Sequence, residues 1–367
     1  MSNQMNILKA DEIKAEIAFD FSSVEGIRWI NPPDSEDILI AGFPWIEEDR
    51  MYRRLPLRVK DMLRPPVDAL ANNTAGGQLH FTTDSNRLYI AVKMPSRANM
   101  YHMPATGQCG FDVYIGDQNE VRYYKTTRFD HSKDSYASEM FSFPKKKMRT
   151  VVLNFPLYMG VQHVLVGIDE GAAIGKSDFL KPGKKNVFYG TSITQGGCAS
   201  RPGMAYTNIL SRMMKEECIN LGFSGNGQGD AIVAECMAEI DASCYILDYV
   251  ANCTVEMYKD TLPGFMRILK NKRPHVPIYV ISALRKSFYY FMDDLNMPQD
   301  PKDVIGDFIV ETIEMLKKEG YDQMYFIDGS RVLGEDFEET TVDGSHPTDL
   351  GFYNMAKILY PVLAKEK

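Results

Sequence analysis

Val187-Phe188-Tyr189-Gly190-Thr191-Ser192-Ile193-Thr194-Gln195-Gly196-Gly197 decides how the second half of this chain folds. It begins as a short apolar run, the pattern of a buried parallel strand. The run breaks at Gly190, a serine follows, and a Gly-rich turn leads to a helical pattern from about residue 203. A serine on a sharp strand-to-helix turn stands clear of the sheet, with its N–H near the positive end of the next helix. That placement suits a nucleophilic hydroxyl. Taken alone, it suits a helix-capping serine as well.

From residue 186 onward the period alternates. Apolar strand patterns fall at 187–189, 219–223, 244–250, 278–283 and 324–327. Helical patterns lie between them at about 203–217, 229–241, 255–271 and 303–319, with a last one at 347–365. This β-α-β order predicts an α/β/α, flavodoxin-like domain with a parallel five-stranded sheet. Functional groups of such sheets gather at the carboxyl ends of the strands.

Each strand end offers something. The second runs into Gly222-Phe223-Ser224-Gly225-Asn226-Gly227, a glycine cluster whose N–H groups form an anion nest. Its Gly-x-x-Gly-x-Gly order is wrong for a dinucleotide fingerprint. The third leads to Asn252, whose amide can donate into the same space or cap a helix. Near the end of the chain, Asp343-Gly344-Ser345-His346-Pro347 puts a carboxylate three residues before an imidazole, ahead of a helix that Pro347 can start. A turn there lets Asp343 orient His346, the base a serine hydroxyl needs.

The four blocks together, Gly190-x-Ser192, Gly225, Asn252 and Asp343-x-x-His346, resemble the SGNH, or GDSL, hydrolase superfamily over about residues 186–365. The resemblance implies Ser192 as nucleophile, His346 as base and Asp343 as its orienter. It implies an oxyanion hole made of the Ser192 N–H, the Gly225 N–H and the Asn252 amide. Two blocks depart from the family pattern. Thr191 stands where Gly-Asp-Ser has its acid, and Cys253 stands where Gly-x-Asn-Asp has its own.

Residues 1–182 read as an all-β sandwich or jelly roll, and 183–367 as the hydrolase domain. The first part shows short strands at 78–83, 87–92, 111–115, 121–124, 139–143, 149–154 and 164–168. Asp84-Ser85-Asn86 between the first two predicts a hairpin. Gly110-Phe111-Asp112-Val113-Tyr114 resembles the Gly-x-Asp-Leu-Tyr motif of a β domain that precedes SGNH hydrolases, with Val113 for Leu. The architecture resembles that of bacterial esterases and two-domain carbohydrate acetylesterases. Trp45, Arg53 and Arg54 lie in an irregular stretch, where such side chains stack on a sugar or plug a loop. Gly171-Ala172-Ala173-Ile174-Gly175-Lys176-Ser177 mimics a phosphate loop but has Glu170 where the first glycine belongs, and reads as interdomain linker.

The totals limit the alternatives. A net charge of −8 leaves no bulk cationic footprint for nucleic acid. No stretch of about 18 apolar residues exists to span a membrane. Met1-Ser2-Asn3-Gln4-Met5 is not a signal peptide as written, which implies a cytoplasmic protein, or a periplasmic or secreted one if a leader was trimmed. The six cysteines form no C-x-x-C and no zinc spacing, and read as buried free thiols. Cys198 alone is placed to line a pocket.

The expectation is therefore a serine esterase releasing short acyl groups, acetyl on a carbohydrate foremost, with no metal and no cofactor. The rivals are a carbohydrate-binding protein with a relict site and an acyltransferase on the same scaffold. The substrate is a small-molecule or carbohydrate ester. The sequence assigns no oligomeric state.

Overall fold

The computed structural model describes residues 8–296 and 301–364. The first five residues, read above for a leader, lie outside the described residues. So do 297–300, near the end of an aromatic-rich stretch that begins at Arg285, and residue 365 of the last predicted helix. The chain divides into two compact units. One holds the residues up to Pro56, Asn72–Lys181 and Arg201–Gly203; the other holds Leu57–Ala71, Pro182–Ser200 and the chain from Met204 onward.

The β unit has two antiparallel sheets. One runs, in spatial order, Ile27–Ile30, His163–Asp169, Arg87–Lys93, Ser135–Ser142. The other centres on Gln78–Thr83, Arg149–Asn154, Asp112–Gly116 and Val121–Thr126. Alternate residues of both meet in one core: Leu88, Ile90 and Val92 from the first, Leu79, Phe81, Val151 and Leu153 from the second. Period-two burial of this kind defines a sandwich.

The predicted hairpin at 78–92 does not form. Its two strands belong to different sheets. The alternation that suggests a hairpin arises because both strands face the same core. The turn between them is an arch held by Asp169, whose Oδ2 accepts from the Ser85 hydroxyl (2.9 Å) and from the N–H groups of Asn86 (2.8 Å) and Arg87 (2.9 Å).

The Gly110-x-Asp112-x-Tyr114 motif has a structural task inside this unit. A Cβ at Gly110 would lie 2.5 Å from the Thr106 carbonyl oxygen. Asp112 is fully buried. It accepts from Arg201 Nη1 (2.7 Å), the Gly203 N–H (2.8 Å) and Asn154 Nδ2 (2.7 Å), while the Tyr114 hydroxyl accepts from Arg201 Nη1 (2.7 Å). Arg53 and Arg54 are buried and donate to the Leu55 and Asn73 carbonyls, and Trp45 is buried too, so this stretch is a plug.

The second unit is a parallel sheet. Its strands are β1 (Lys185–Gly190), β2 (Glu217–Gly222), β3 (Cys244–Asp248), β4 (Ile278–Ile281) and β5 (Met324–Ile327), in the order β2-β1-β3-β4-β5. Helices α1 (Ser192–Gln195), α2 (Tyr206–Met214), α3 (Ala231–Glu239), α4 (Val255–Lys272), α5 (Pro301–Lys318) and α6 (Asp349–Ala364) complete it. β1 and β3 are buried at nearly every position, which is why they read as unbroken apolar runs. No helix among the described residues is long and apolar enough to cross a membrane.

Candidate active site

The nucleophile turn is tighter than the sequence suggests. Helix α1 starts at Ser192 itself, and Thr191 is its N-cap, its hydroxyl accepting from the Ile193 N–H at 3.3 Å. The residue that breaks the Gly-Asp-Ser pattern therefore has a local role that a hydroxyl fills as well as a carboxylate does. Gly196, at φ +100°, ends the single turn.

The glycine loop after β2 is pinned on several sides. The Phe223 N–H donates to the Gly190 carbonyl (2.9 Å) and the Ser224 N–H to Gln195 Oε1 (3.0 Å). The Gln228 and Gly229 N–H groups donate to the Tyr189 hydroxyl (3.1 and 2.8 Å). Arg64, from the Leu57–Ala71 segment, forks onto Asp230 (2.6 and 2.8 Å) and donates to the Asn226 carbonyl (2.8 Å). Gly225 sits at φ +69°, with open space where a Cβ would point, and its N–H bonds no described residue. A left-handed residue in a glycine turn is the backbone form from which anion nests are built.

Asn252 ends a short 3-10 turn after β3. It is not a helix cap, because Thr254 caps α4. Its Oδ1 accepts from the Gly227 N–H at 3.3 Å, which leaves Nδ2 as the donor. A Cβ at Gly227 would lie 2.1 Å from the Gly190 carbonyl oxygen, so the glycine loop touches both the serine turn and Asn252.

Asp343 and His346 face each other across a closed loop. The Val342 N–H donates to the His346 carbonyl (2.9 Å) and the Thr348 N–H to the Thr340 carbonyl (2.7 Å). These bonds hold 346–348 extended, so α6 begins at Asp349 and not at Pro347. The Asp343 Oδ1 accepts from the N–H groups of Ser345 (3.0 Å) and His346 (2.8 Å). Its Oδ2 accepts from His346 Nδ1–H at 2.7 Å, the tautomer this network requires. Burial works against the Asp343 charge, but the backbone and ring donors of His346 outweigh it and hold the carboxyl below its ordinary value.

The other ring nitrogen meets the serine. Ser192 Oγ lies 2.9 Å from His346 Nε2, although the two residues are 154 positions apart. Ser192 is 7% exposed and His346 half-buried, so the hydroxyl is shielded while the imidazole edge reaches solvent. Asp343, His346 and Ser192 thus form one hydrogen-bonded line, the arrangement that turns a weak hydroxyl into a nucleophile.

Residues 183–364 match the GDSL-like lipase/acylhydrolase family model, and residues 27–174 match a model described as the N-terminus of SGNH-hydrolase-type esterases. A Bacteroides ovatus protein described as a GDSL-like lipase is 30% identical over 92% of this chain and 97% of its own, with a TM-score of 0.83. The chain belongs to the GDSL-like lipase/acylhydrolase family. As a GDSL-like acylhydrolase it is an esterase by class. A salicylyl-acyltransferase from a tetracycline biosynthetic pathway shares its fold at 21% identity, covering 91% of this chain and 96% of that one, with a TM-score of 0.75. A family two carbohydrate esterase from Cellvibrio japonicus shares it at 16% identity, covering 92% and 97%, with a TM-score of 0.59. No curated protein matches the chain.

Three features of this acylhydrolase escape a sequence reading. Arg64 is the first. The second is Asp349, which accepts from the Ser200 N–H (2.8 Å) and hydroxyl and so ties the chain after α1 to the helix that follows His346. The third is Asp248, buried at the end of β3. Cys198, by contrast, is a buried free thiol. Burial, with the Asp343 charge adding to it, pushes it up to about 12. After β4, Phe288, Tyr290 and Phe291 are all exposed.

Proposed function

We propose that this acylhydrolase is a serine esterase that removes short acyl groups, acetyl foremost, from a carbohydrate. The observation that carries the reading is the line Asp343–His346–Ser192, with contacts of 2.7 and 2.9 Å. Ser192 Oγ attacks the ester carbonyl as its proton passes to His346 Nε2. The carbonyl π pair moves onto oxygen, which the N–H groups of Ser192 and Gly225 and the Asn252 Nδ2 stabilise. Collapse breaks the bond to the alcohol oxygen, which takes the proton from His346. Water, deprotonated by His346, then attacks the acyl-Ser192 and frees the acid. Asp343 keeps the ring in one tautomer throughout. The carbohydrate assignment draws on the fold shared with the Cellvibrio japonicus carbohydrate esterase and on the sandwich unit.

Turnover of p-nitrophenyl acetate and acetate release from acetylated xylan, by the wild type and by Ser192→Ala, test the reading. The expected result is activity on both in the wild type and its loss in the variant. Equal turnover by the two proteins would overturn the serine mechanism. Acyl transfer to an added sugar, in excess of hydrolysis, would make the protein an acyltransferase instead.

Asn252 gives a separate prediction. Asn252→Ala is expected to lower kcat by a hundredfold or so, about 3 kcal/mol in the barrier, with KM changed little. An unchanged kcat would remove Asn252 from the oxyanion site.

A further inference from the structure

Asp248 has no part in the scheme above, yet it lies beneath it. It ends β3, pairs with Gly190 across the sheet and is 6% exposed. Its Oδ2 accepts from the Thr194 hydroxyl (3.0 Å) and from the Tyr206 hydroxyl (3.0 Å). Thr194 belongs to α1, the four-residue helix that starts at Ser192, and is itself fully buried. Tyr206 opens α2, and its ring stacks on Phe352 of α6, the helix that follows His346. One carboxylate therefore bonds the nucleophile's helix and a tyrosine packed against the helix that follows the base. Such a group is costly to bury without a cation, and none of its partners is one.

We propose that Asp248 is a positioning residue for the reaction: as an anion it holds Thr194, and through it the turn carrying Ser192, in the arrangement where Ser192 Oγ meets His346. The proposal rests on Ser192 and His346 being nucleophile and base. Asp248 touches no reacting atom. An ionised carboxylate offers only acceptors, so both hydroxyls must point their protons at it. Protonation removes the charge that strengthens both bonds, and the hold on the two hydroxyls weakens.

The titratable groups around it are few. Tyr206 faces it from α2 and Tyr258 from α4, and the Cys218 thiol of β2 lies near Tyr206. Burial keeps both phenols neutral. Burial likewise pushes the Asp248 carboxyl up to about 6, while the Tyr206 and Thr194 hydrogen bonds hold it back from rising further. The sign follows. Above about pH 6 the anion is present and the turn is held; below it the proton is taken up and the hold is lost. Ionisation is harder in the fold than in the unfolded chain, so this group lowers stability as pH rises through about 6. Asp248→Asn should remove that slope.

The experiment is kcat and KM from pH 5 to 8 on p-nitrophenyl acetate for the wild type, Asp248→Asn, Thr194→Val and Tyr206→Phe, with Ser192→Ala alongside. The wild-type to Asp248→Asn ratio of kcat cancels the titration of His346. It is expected to be about tenfold at pH 8 and to fall toward one at pH 5, with KM unchanged. Thr194→Val and Tyr206→Phe each remove a donor that favours the anion. Their acid limbs are expected to move to higher pH, by on the order of half to one unit. Ratios independent of pH in all the folded variants would overturn the proposal and leave Asp248 a packing residue. Should Asp248→Asn fail to fold by circular dichroism, the other two variants decide by the same criterion. If Ser192→Ala keeps wild-type turnover, the nucleophile reading fails; if it is inactive while the ratios stay flat, the positioning role alone fails.

Discussion

His346→Ala is expected to lower kcat about ten-thousand-fold, and adding Ser192→Ala to it is expected to cost almost nothing more. The reason is the single hydrogen-bonded line through Asp343, His346 and Ser192. Without the imidazole, the serine proton loses the base at 2.9 Å, and a hydroxyl is a poor nucleophile at neutral pH. Without the serine, the imidazole has nothing to activate in that geometry. The two side chains act as a unit, so the second deletion removes what the first has already disabled. Rates for the two single variants and the double variant on one ester decide it. Losses that multiply would mean that the residues act independently, and the line would be a structural contact only.

The second large effect falls on a residue with no side chain. Gly190→Ala is expected to destabilise the α/β unit by about 3 kcal/mol and to lower kcat about a hundredfold. A Cβ at Gly190 would lie 2.0 Å from Thr194 Oγ1 and 2.4 Å from the Asp248 carbonyl oxygen. The second neighbour is main chain of the adjacent strand and cannot rotate away. The collision must push β1 from β3 or drive α1 outward, and α1 begins with Ser192. Gly264→Ala is the control. It lies within α4, with nothing inside 4 Å of an added Cβ, and is expected to be neutral or to stabilise by up to about 1 kcal/mol. Thermal melts of both variants, with the rate of the first, check the contrast. A Gly190→Ala protein as stable and active as wild type would mean that this turn has slack where the geometry gives none.

What could be read from the sequence follows from where the information lies. The parallel strands are legible as short apolar runs that alternate with helical periods, most plainly in β1 and β3, which are buried at nearly every position. Ser192, Gly225, Asn252 and His346 were legible because each follows such a run or sits in a turn whose chemistry is local. The hairpin at 78–92 was misread because alternation reports which face of a strand is buried, and says nothing about which strand it pairs with. Asp169, which makes the arch, is more than 80 positions away from Ser85. Helix α1 was missed because four residues are too few to show a helical period. Asp248, Asp349 and Arg64 act through partners 54, 149 and 166 positions distant, and no local pattern marks them. Thr191 shows the reverse case. In sequence it is a departure from Gly-Asp-Ser, and in the fold it is the cap of the helix that Ser192 begins.

Every step proposed above depends on Ser192 being the activated nucleophile. The most direct test is to treat the intact protein with a fluorophosphonate, which phosphonylates an activated serine, and to map the adduct by peptide mass spectrometry. One adduct per chain is expected, on Ser192, abolished in Ser192→Ala and strongly slowed in His346→Ala. No adduct on Ser192 in the folded wild type, or an adduct formed at the same rate without His346, would contradict it.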